Sequence, residues 1–380
     1  MSKMRLLKAS PFYHQYLLDF YSAHLGAENL GYNKQYRLLM DDVFGWADFW
    51  KTNLEEMGSY EVLEVVTNAE KLQKQWAKEN KVVYNEANWL QDILETQIQS
   101  FRPEVFFAHD CNNLDLSFRE RMKKKYGVKK IIGWDGIAQN NPDKYRGCDV
   151  VLSCNEDSIL FYKKNGFESY FFPFAFETSI LNKLKMREPL YNVVFSGSLF
   201  VGNNLHNERI KFLSEMASKA KLDFWVSGMS RRNLLNPFYL KGQLGLPMRD
   251  YFGVLRIVLK NRGPVFGLKM YQLLSDSKIT LNYHIDSAGA KAGNMRLFEA
   301  TGVGSCLVTD WKPNISEFFE PDKEVVVYKS AAECLEKINY LLNNENKRKE
   351  IARAGQKKTV KTYSFEKRIK DFANAVLSYN

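Results

Sequence analysis

The chain has 380 residues, 45% of them hydrophobic and 26% charged, with a formal net charge of +10. The length exceeds one ordinary core and suits two, and the composition excludes a disordered or low-complexity protein. No apolar run reaches the roughly 18 to 20 residues of a membrane-spanning helix. The charge suits nucleic acid, an anionic membrane surface or phosphorylated substrates.

In chain order, residues 1–10 lack the hydrophobic core of a signal peptide and read as a first strand, so a cytoplasmic location is expected. Short β-branched and aromatic runs follow, at 4–9, 60–67, 104–109, 129–134, 149–154 and 169–174. Amphipathic helical segments such as 114–126 lie between them. This alternation produces a parallel sheet flanked by helices. Residues 183–189 are charged and read as a linker. A second series begins after it, with strands at 192–196, 223–226, 278–283, 305–309 and 324–328 and helices at 205–220 and 331–342. A final helix, 365–378, has no strand after it. The expected division is 1–178, 190–362 and 363–380. It describes an α/β protein of two Rossmann-like domains with ligands at the carboxyl ends of their strands, on a shared cleft.

The five cysteines, Cys111, Cys148, Cys154, Cys306 and Cys334, show no two-residue spacing, and the histidines show no His-x-x-x-His. Reduced buried thiols and no bound metal are expected. The most informative segment is SAGAKAGNMRLFEATGVGSCLVTD, residues 287–310. Gly289 and Gly293 would let backbone approach a ligand, and a helix beginning near Asn294 would aim free amides at a diphosphate. Arg296 and Glu299, three apart, share a helical face. The cation suits phosphate and the carboxylate suits the two hydroxyls of a ribose. A surface ion pair is the plainer reading.

Here the chain resembles the family 4 glycosyltransferases, and among them the CgeB-like group, in which an Arg-x-Phe-Glu-Ala helix is followed by a glycine and a strand. The resemblance implies a GT-B architecture, with two Rossmann-like domains facing across a cleft and a C-terminal helix crossing back to the first. It also implies that Glu299 binds the donor ribose. The family usually has a second glutamate eight positions earlier, where this chain has Lys291, a residue able to offset diphosphate charge but not to accept sugar hydroxyls. NVVFSGSLFVGNNLHNERIKFL is similar to the family's first strand, glycine loop and helix, with Gly197 and Ser198 in the turn. Arg209 is then either a phosphate ligand or an exposed helix cation.

In the first half, a strand ends at His109 and Asp110, and another at Asp135. His109 would serve as the base that activates an acceptor hydroxyl, with Asp110 and Asp135 as its catalytic companions. The plainer readings are a histidine satisfied by backbone and an aspartate capping a turn. Residues 119–130 form a basic cluster whose default is a solvated face. Residues 229–269 hold Arg231, Arg232, Lys241, Arg249, Arg256, Lys260, Arg262 and Lys269 against one acid, Asp250. If 249–260 is a helix, its basic face suits an anionic bilayer, while Tyr251, Leu255, Val258 and Leu259 opposite could be core.

The resemblance implies a transferase moving a sugar from a nucleotide-diphosphate donor to a glycan or lipid-linked acceptor, as in bacterial surface polysaccharide assembly, and the lack of metal-ligand spacing makes metal independence the expectation. The donor is a substrate, and no cofactor is expected. A nucleotide-sugar epimerase is the alternative. A nucleic-acid partner is disfavoured, because no RNA-recognition or zinc-finger motif accompanies the charge.

Overall fold

A computed structural model describes residues 3–136, 141–199, 206–229, 236, 248–286 and 291–377, with the side chains of 248–250 left aside. Gly289, Arg231, Arg232, Lys241 and the Arg249 side chain lie outside the described residues. The chain divides into two compact units, one of Met1–Pro173 with Phe365–Asn380 and one of Phe174–Ser364.

Unit 1 is a parallel sheet of six strands: β1 (Met4–Ser10), β2 (Tyr60–Val66), β3 (Val105–Ala108), β4 (Lys130–Asp135), β5 (Val150–Ser153) and β6 (Ser169–Phe171). Their order is β2-β1-β3-β4-β5-β6, so the direction of winding reverses between β1 and β3. Central strands such as VFFA and VVLS are continuously apolar because helices cover both faces. On one face Leu7, Ala9, Phe106 and Ala108 pack with Leu94, Ile98, Phe118 and Met122 from the helices Trp89–Phe101 and Leu116–Tyr126. On the other, the Trp50 ring lies 4.9 Å from Phe107, 5.1 Å from Phe172 and 4.8 Å from Phe372. The helix Phe365–Phe372 therefore builds the core of this unit although it is the last helix of the chain.

Unit 2 is a parallel sheet of five strands, β7 (Tyr191–Ser198), β8 (Asp223–Ser227), β9 (Ser277–Asn282), β10 (Cys306–Asp310) and β11 (Val326–Tyr328). The order β11-β10-β9-β7-β8 repeats that of unit 1, with the reversal between β7 and β9. Parallel sheets open a crevice at such a reversal, beyond the carboxyl ends of the strands.

Three expectations need correction. Residues 183–189 are not a free linker, because Arg187 Nε donates to Asp276 Oδ1 at 2.8 Å and Gln272 accepts from the Lys185 amide at 2.8 Å. Residues 174–178 belong to unit 2, where the buried Phe176 pairs with Ser364 and its ring lies 2.4 Å from where a Cβ on Gly302 would stand. The basic cluster at 119–130 is not merely solvated: Arg119 is buried and donates to the carbonyls of Cys111, Leu114, Lys144 and Arg146. Its neighbours Arg121 and Lys125 both pair with Glu95.

Candidate functional site

The carboxyl end of β7 organises the site in unit 2. Gly197 and Ser198 are not in a turn; they extend the strand and stay in register with Val226 and Ser227. Two guanidinium groups converge here. Arg209, on the helix Asn207–Lys219, is buried rather than exposed and donates to the carbonyls of Ser198, at 3.2 Å, and Tyr283. Arg296, on the helix Met295–Gly302, donates to the Ser196 carbonyl at 3.2 Å. Carbonyls two residues apart on a strand are about 7 Å apart. The Nε–H groups of both arginines are buried and have no partner among the described residues. Burial lowers Arg209 to about 10, against the opposing pull of Asp310 and Asp286, so it remains a cation at neutral pH.

Arg296 and Glu299 do form an ion pair, Nη1 to Oε2 at 3.0 Å, but not at the surface: their side chains are 14% and 9% exposed. Burial raises the Glu299 carboxyl above its usual range, and the Arg296 charge and the neighbouring Tyr271 hydroxyl only partly offset it. An ionised carboxylate can accept roughly four hydrogen bonds, so the contact with Arg296 leaves capacity for ligand hydroxyls.

The glycine segment before this helix is held by a polar layer that the sequence reading missed. Asn314 accepts from the Ala292 amide at 2.7 Å and returns its own amide to the Ala292 carbonyl at 3.1 Å. The Asn294 amide donates to Asn282 at 2.9 Å and so does not cap the helix it precedes. The Gly293 N–H reaches His284 Nε2 at 3.4 Å, and His284 Nδ1 lies 2.7 Å from Asp310. Burial pushes Asp310 up, but the His284 contact and Lys312 outweigh it and hold the carboxyl below its usual range. Lys291 is half-buried at the start of the segment. Polar residues just beyond β9 and β10, in YHID and TDWKPN, were the available signal.

Unit 1 does not bring its three candidates together. The His109 ring stacks on Trp46 at 5.1 Å, with Trp134 edge-on at 5.8 Å, and its Nδ1 has no partner among the described residues. Burial, with a smaller contribution from Lys8, lowers this imidazole to about 3, far from the near-neutral value expected of an exposed base. Asp110 accepts from the amides of Asn112 and Asn113 at 3.0 and 3.3 Å, which makes it the keystone of the turn after β3. Asp135 points to the opposite face of the sheet. Trp134 shares a face with His109, so strand alternation puts Asp135 with Gly133, whose missing Cβ leaves room for Tyr145. There burial and then the Asp135 charge hold the Tyr145 and Tyr162 hydroxyls above their usual range.

Two parallel sheets of the same winding are the architecture of the GT-B fold, and structural comparison agrees. The Anabaena protein HepE in complex with UDP-glucose superposes with a TM-score of 0.60 at 12% identity, covering 99% of this chain and 100% of that one. A glycosyltransferase from Rickettsia africae gives 0.57 at 10% identity, covering 98% of each chain. A Listeria monocytogenes protein described as a UDP-N-acetylglucosamine 2-epimerase gives 0.52 at 9%, covering 100% of this chain and 98% of that one. In sequence, residues 209–374 match the glycosyl transferase-like family. No curated protein matches the chain in sequence.

Proposed function

We propose that this protein transfers a sugar from a nucleoside-diphosphate donor to a glycan or lipid-linked acceptor, in the assembly of a bacterial surface polysaccharide. The observation that carries the reading is the pair of arginines, Arg209 buried and Arg296 largely so, that donate to carbonyls at the end of β7, each with a buried N–H unspent. Buried donors are rarely left unmatched, and charge-assisted bonds to phosphate are the natural partner for a guanidinium. Gly197 and the Gly293–Asn294 backbone would approach the diphosphate, with Ser198 and Lys291 beside it, and Glu299 would accept from the ribose hydroxyls. The donor bound by HepE is of this class.

In the transfer, an acceptor hydroxyl attacks the anomeric carbon, the carbon–oxygen bond to the diphosphate breaks, the nucleoside diphosphate leaves with the bond electrons, and the hydroxyl proton passes to a departing phosphate oxygen or, through water, to solvent. Charge builds on the leaving group, where Arg209, Arg296 and the first amides of the Met295–Gly302 helix would stabilise it. With its pKa lowered to about 3, His109 is a weak base, and the contribution of the donor-side residues is stabilisation of the leaving group. These cations take the role a divalent metal has in other transferases, so activity should survive a chelator.

Gly197→Ala tests the reading. A Cβ there meets only ordinary contacts, 3.4 Å to Phe195 and 3.9 Å to Arg209, so the free protein should melt as before. A panel of UDP, GDP, dTDP and CMP sugars, screened by thermal shift, selects the donor, because a ligand of the native state must raise the melting temperature. The variant should then bind that donor at least about tenfold more weakly, a change worth roughly 1.4 kcal/mol. Unchanged affinity would sink the site. Donor isomerised in the absence of any acceptor would favour the epimerase reading.

A further inference from the structure

The helix Met248–Lys260 has two apolar faces where one was expected. Val254, Ile257 and Val258 enter the core of unit 2 beside Ile210 and Leu213. Gly253 fixes the rotation of the helix, because a Cβ there would stand 2.6 Å from Ser214. Leu255 and Leu259 were expected with Tyr251 and Val258 on one face opposite the cations, a face that could be core. Instead Phe252 is 64% exposed, Leu259 is 67% exposed, Leu255 is half-buried, and Arg256 is exposed. Positions 252, 255, 256 and 259 follow the i, i+3, i+4, i+7 spacing of one helical stripe.

Single exposed apolar residues are ordinary on a protein surface, but a stripe of large ones on a helix anchored by its other side is not. The setting is basic. Lys260 is exposed at the end of the stripe, its Nζ 3.3 Å from the Ala217 carbonyl. In sequence, residues 229–269 hold eight cations and one acid, a surplus of seven within a total of +10; among the described residues Arg256 and Lys260 lie on this helix, and Arg262 pairs with Asp223 at 3.1 Å. A nucleic acid would meet the charge and could stack on Phe252, but the two leucines that complete the stripe would stay exposed with nothing to bury them. The boundary between lipid headgroups and acyl chains accommodates both features at once, phosphate for the cations and hydrocarbon for the leucines and phenylalanine.

We infer that the outer face of this helix docks on an anionic lipid bilayer, with Phe252, Leu255 and Leu259 entering the headgroup region and Arg256 and Lys260 level with the phosphates. The geometry stands without the transferase reading, which it deepens by putting the enzyme on the surface where a lipid-linked acceptor is held. No described helix is long and apolar enough to cross a membrane, so the contact is peripheral.

Co-sedimentation with vesicles tests it. The wild-type chain should bind vesicles of phosphatidylcholine mixed with phosphatidylglycerol, release as salt rises, and ignore phosphatidylcholine alone. The double variant F252S/L259S should bind the mixed vesicles at least about tenfold more weakly with an unchanged melting temperature, since neither side chain contributes to the core. R256E, which alters no apolar contact, should weaken binding in the same direction. The proposal is overturned if wild type ignores the mixed vesicles, if it binds neutral ones equally, if either variant binds like wild type, or if single-stranded nucleic acid competes the vesicles away. Donor affinity, titrated with whichever nucleotide sugar binds, should be the same in wild type and both variants. Vesicle binding without donor binding would break the transferase reading alone, and the reverse would break this one alone.

Discussion

The two sheets wind identically, yet they treat their buried charges differently. On β1, Lys8 is spent on Glu64 across the β1–β2 ladder at 2.6 Å, and both side chains are within 3% of full burial. Glu64 also accepts from the Lys51 amide at 2.8 Å, so this pair in unit 1 closes its own charges. Between β7 and β9, Arg209 and Arg296 hold strand carbonyls and each keeps a donor in reserve. Topology fixes where a ligand can enter, and the local pairing of charge decides whether buried donors are left unspent there.

The sharpest way to break that contrast is Lys8→Met. Removing one partner strands a buried carboxylate, which typically costs about 3 to 5 kcal/mol, and Glu64→Leu in the same chain should recover most of it. Urea unfolding measures both, and donor affinity should not change, because the loss is confined to unit 1. A loss much below 1 kcal/mol would show that Lys8 and Glu64 are not a closed pair.

Arg296→Met should follow in size, and it should act on binding as well as folding. It leaves Glu299 without its counter-charge and removes a proposed phosphate ligand, so donor affinity should fall on the order of a hundredfold, about 2.7 kcal/mol. The pH dependence has a definite sign. The folded-state pKa of Glu299 is already raised, so the folded chain binds the proton more tightly than the unfolded one. Loss of Arg296 raises it further, and the variant should regain part of its lost stability when unfolding is measured at pH 5 instead of pH 7. A variant equally destabilised at both values would mean that Glu299 does not depend on Arg296.

Much of this was legible in the chain. Strand positions were, because runs such as VFFA and CLVTD are apolar, β-branched or aromatic and bounded by breakers. The helix with Arg296 and Glu299 was too, through its glycine neighbours. What could not be read was which side of an element meets which neighbour. Arg209 occupies a flank of a helix whose Ile210 and Leu213 are core, and only the position of β7 beside it turns a plausible surface cation into a buried one. The polar layer of Asn282, His284, Asp310 and Asn314 was missed because its members come from the ends of separate strands and meet only in the folded sheet. For Asp135 the error was one of parity, since a strand end sends successive side chains to opposite faces.

His109 gives the smallest expected effect on the rate profile and the most discriminating one, because sequence and structure disagree about its chemistry rather than its place. An ordinary histidine titrates near 6.5, so a general base of that kind would make the rate fall below neutral pH. Burial against Trp46 lowers this one to about 3, and it stays neutral throughout the assay range. The rate should therefore show no break attributable to it between pH 5 and 8, and His109→Asn should change the level of the profile but not its shape. The same shift acts on folding with a fixed sign. The unfolded chain takes up a proton near 6.5 while the folded chain refuses it until about 3, so stability is lost as pH falls through that window. His109→Phe, which cannot titrate, should lose less stability than wild type between pH 7 and pH 4. A wild-type break near pH 6.5 that vanishes in His109→Asn would restore the histidine as the base, and with it a chemically active entrance in unit 1.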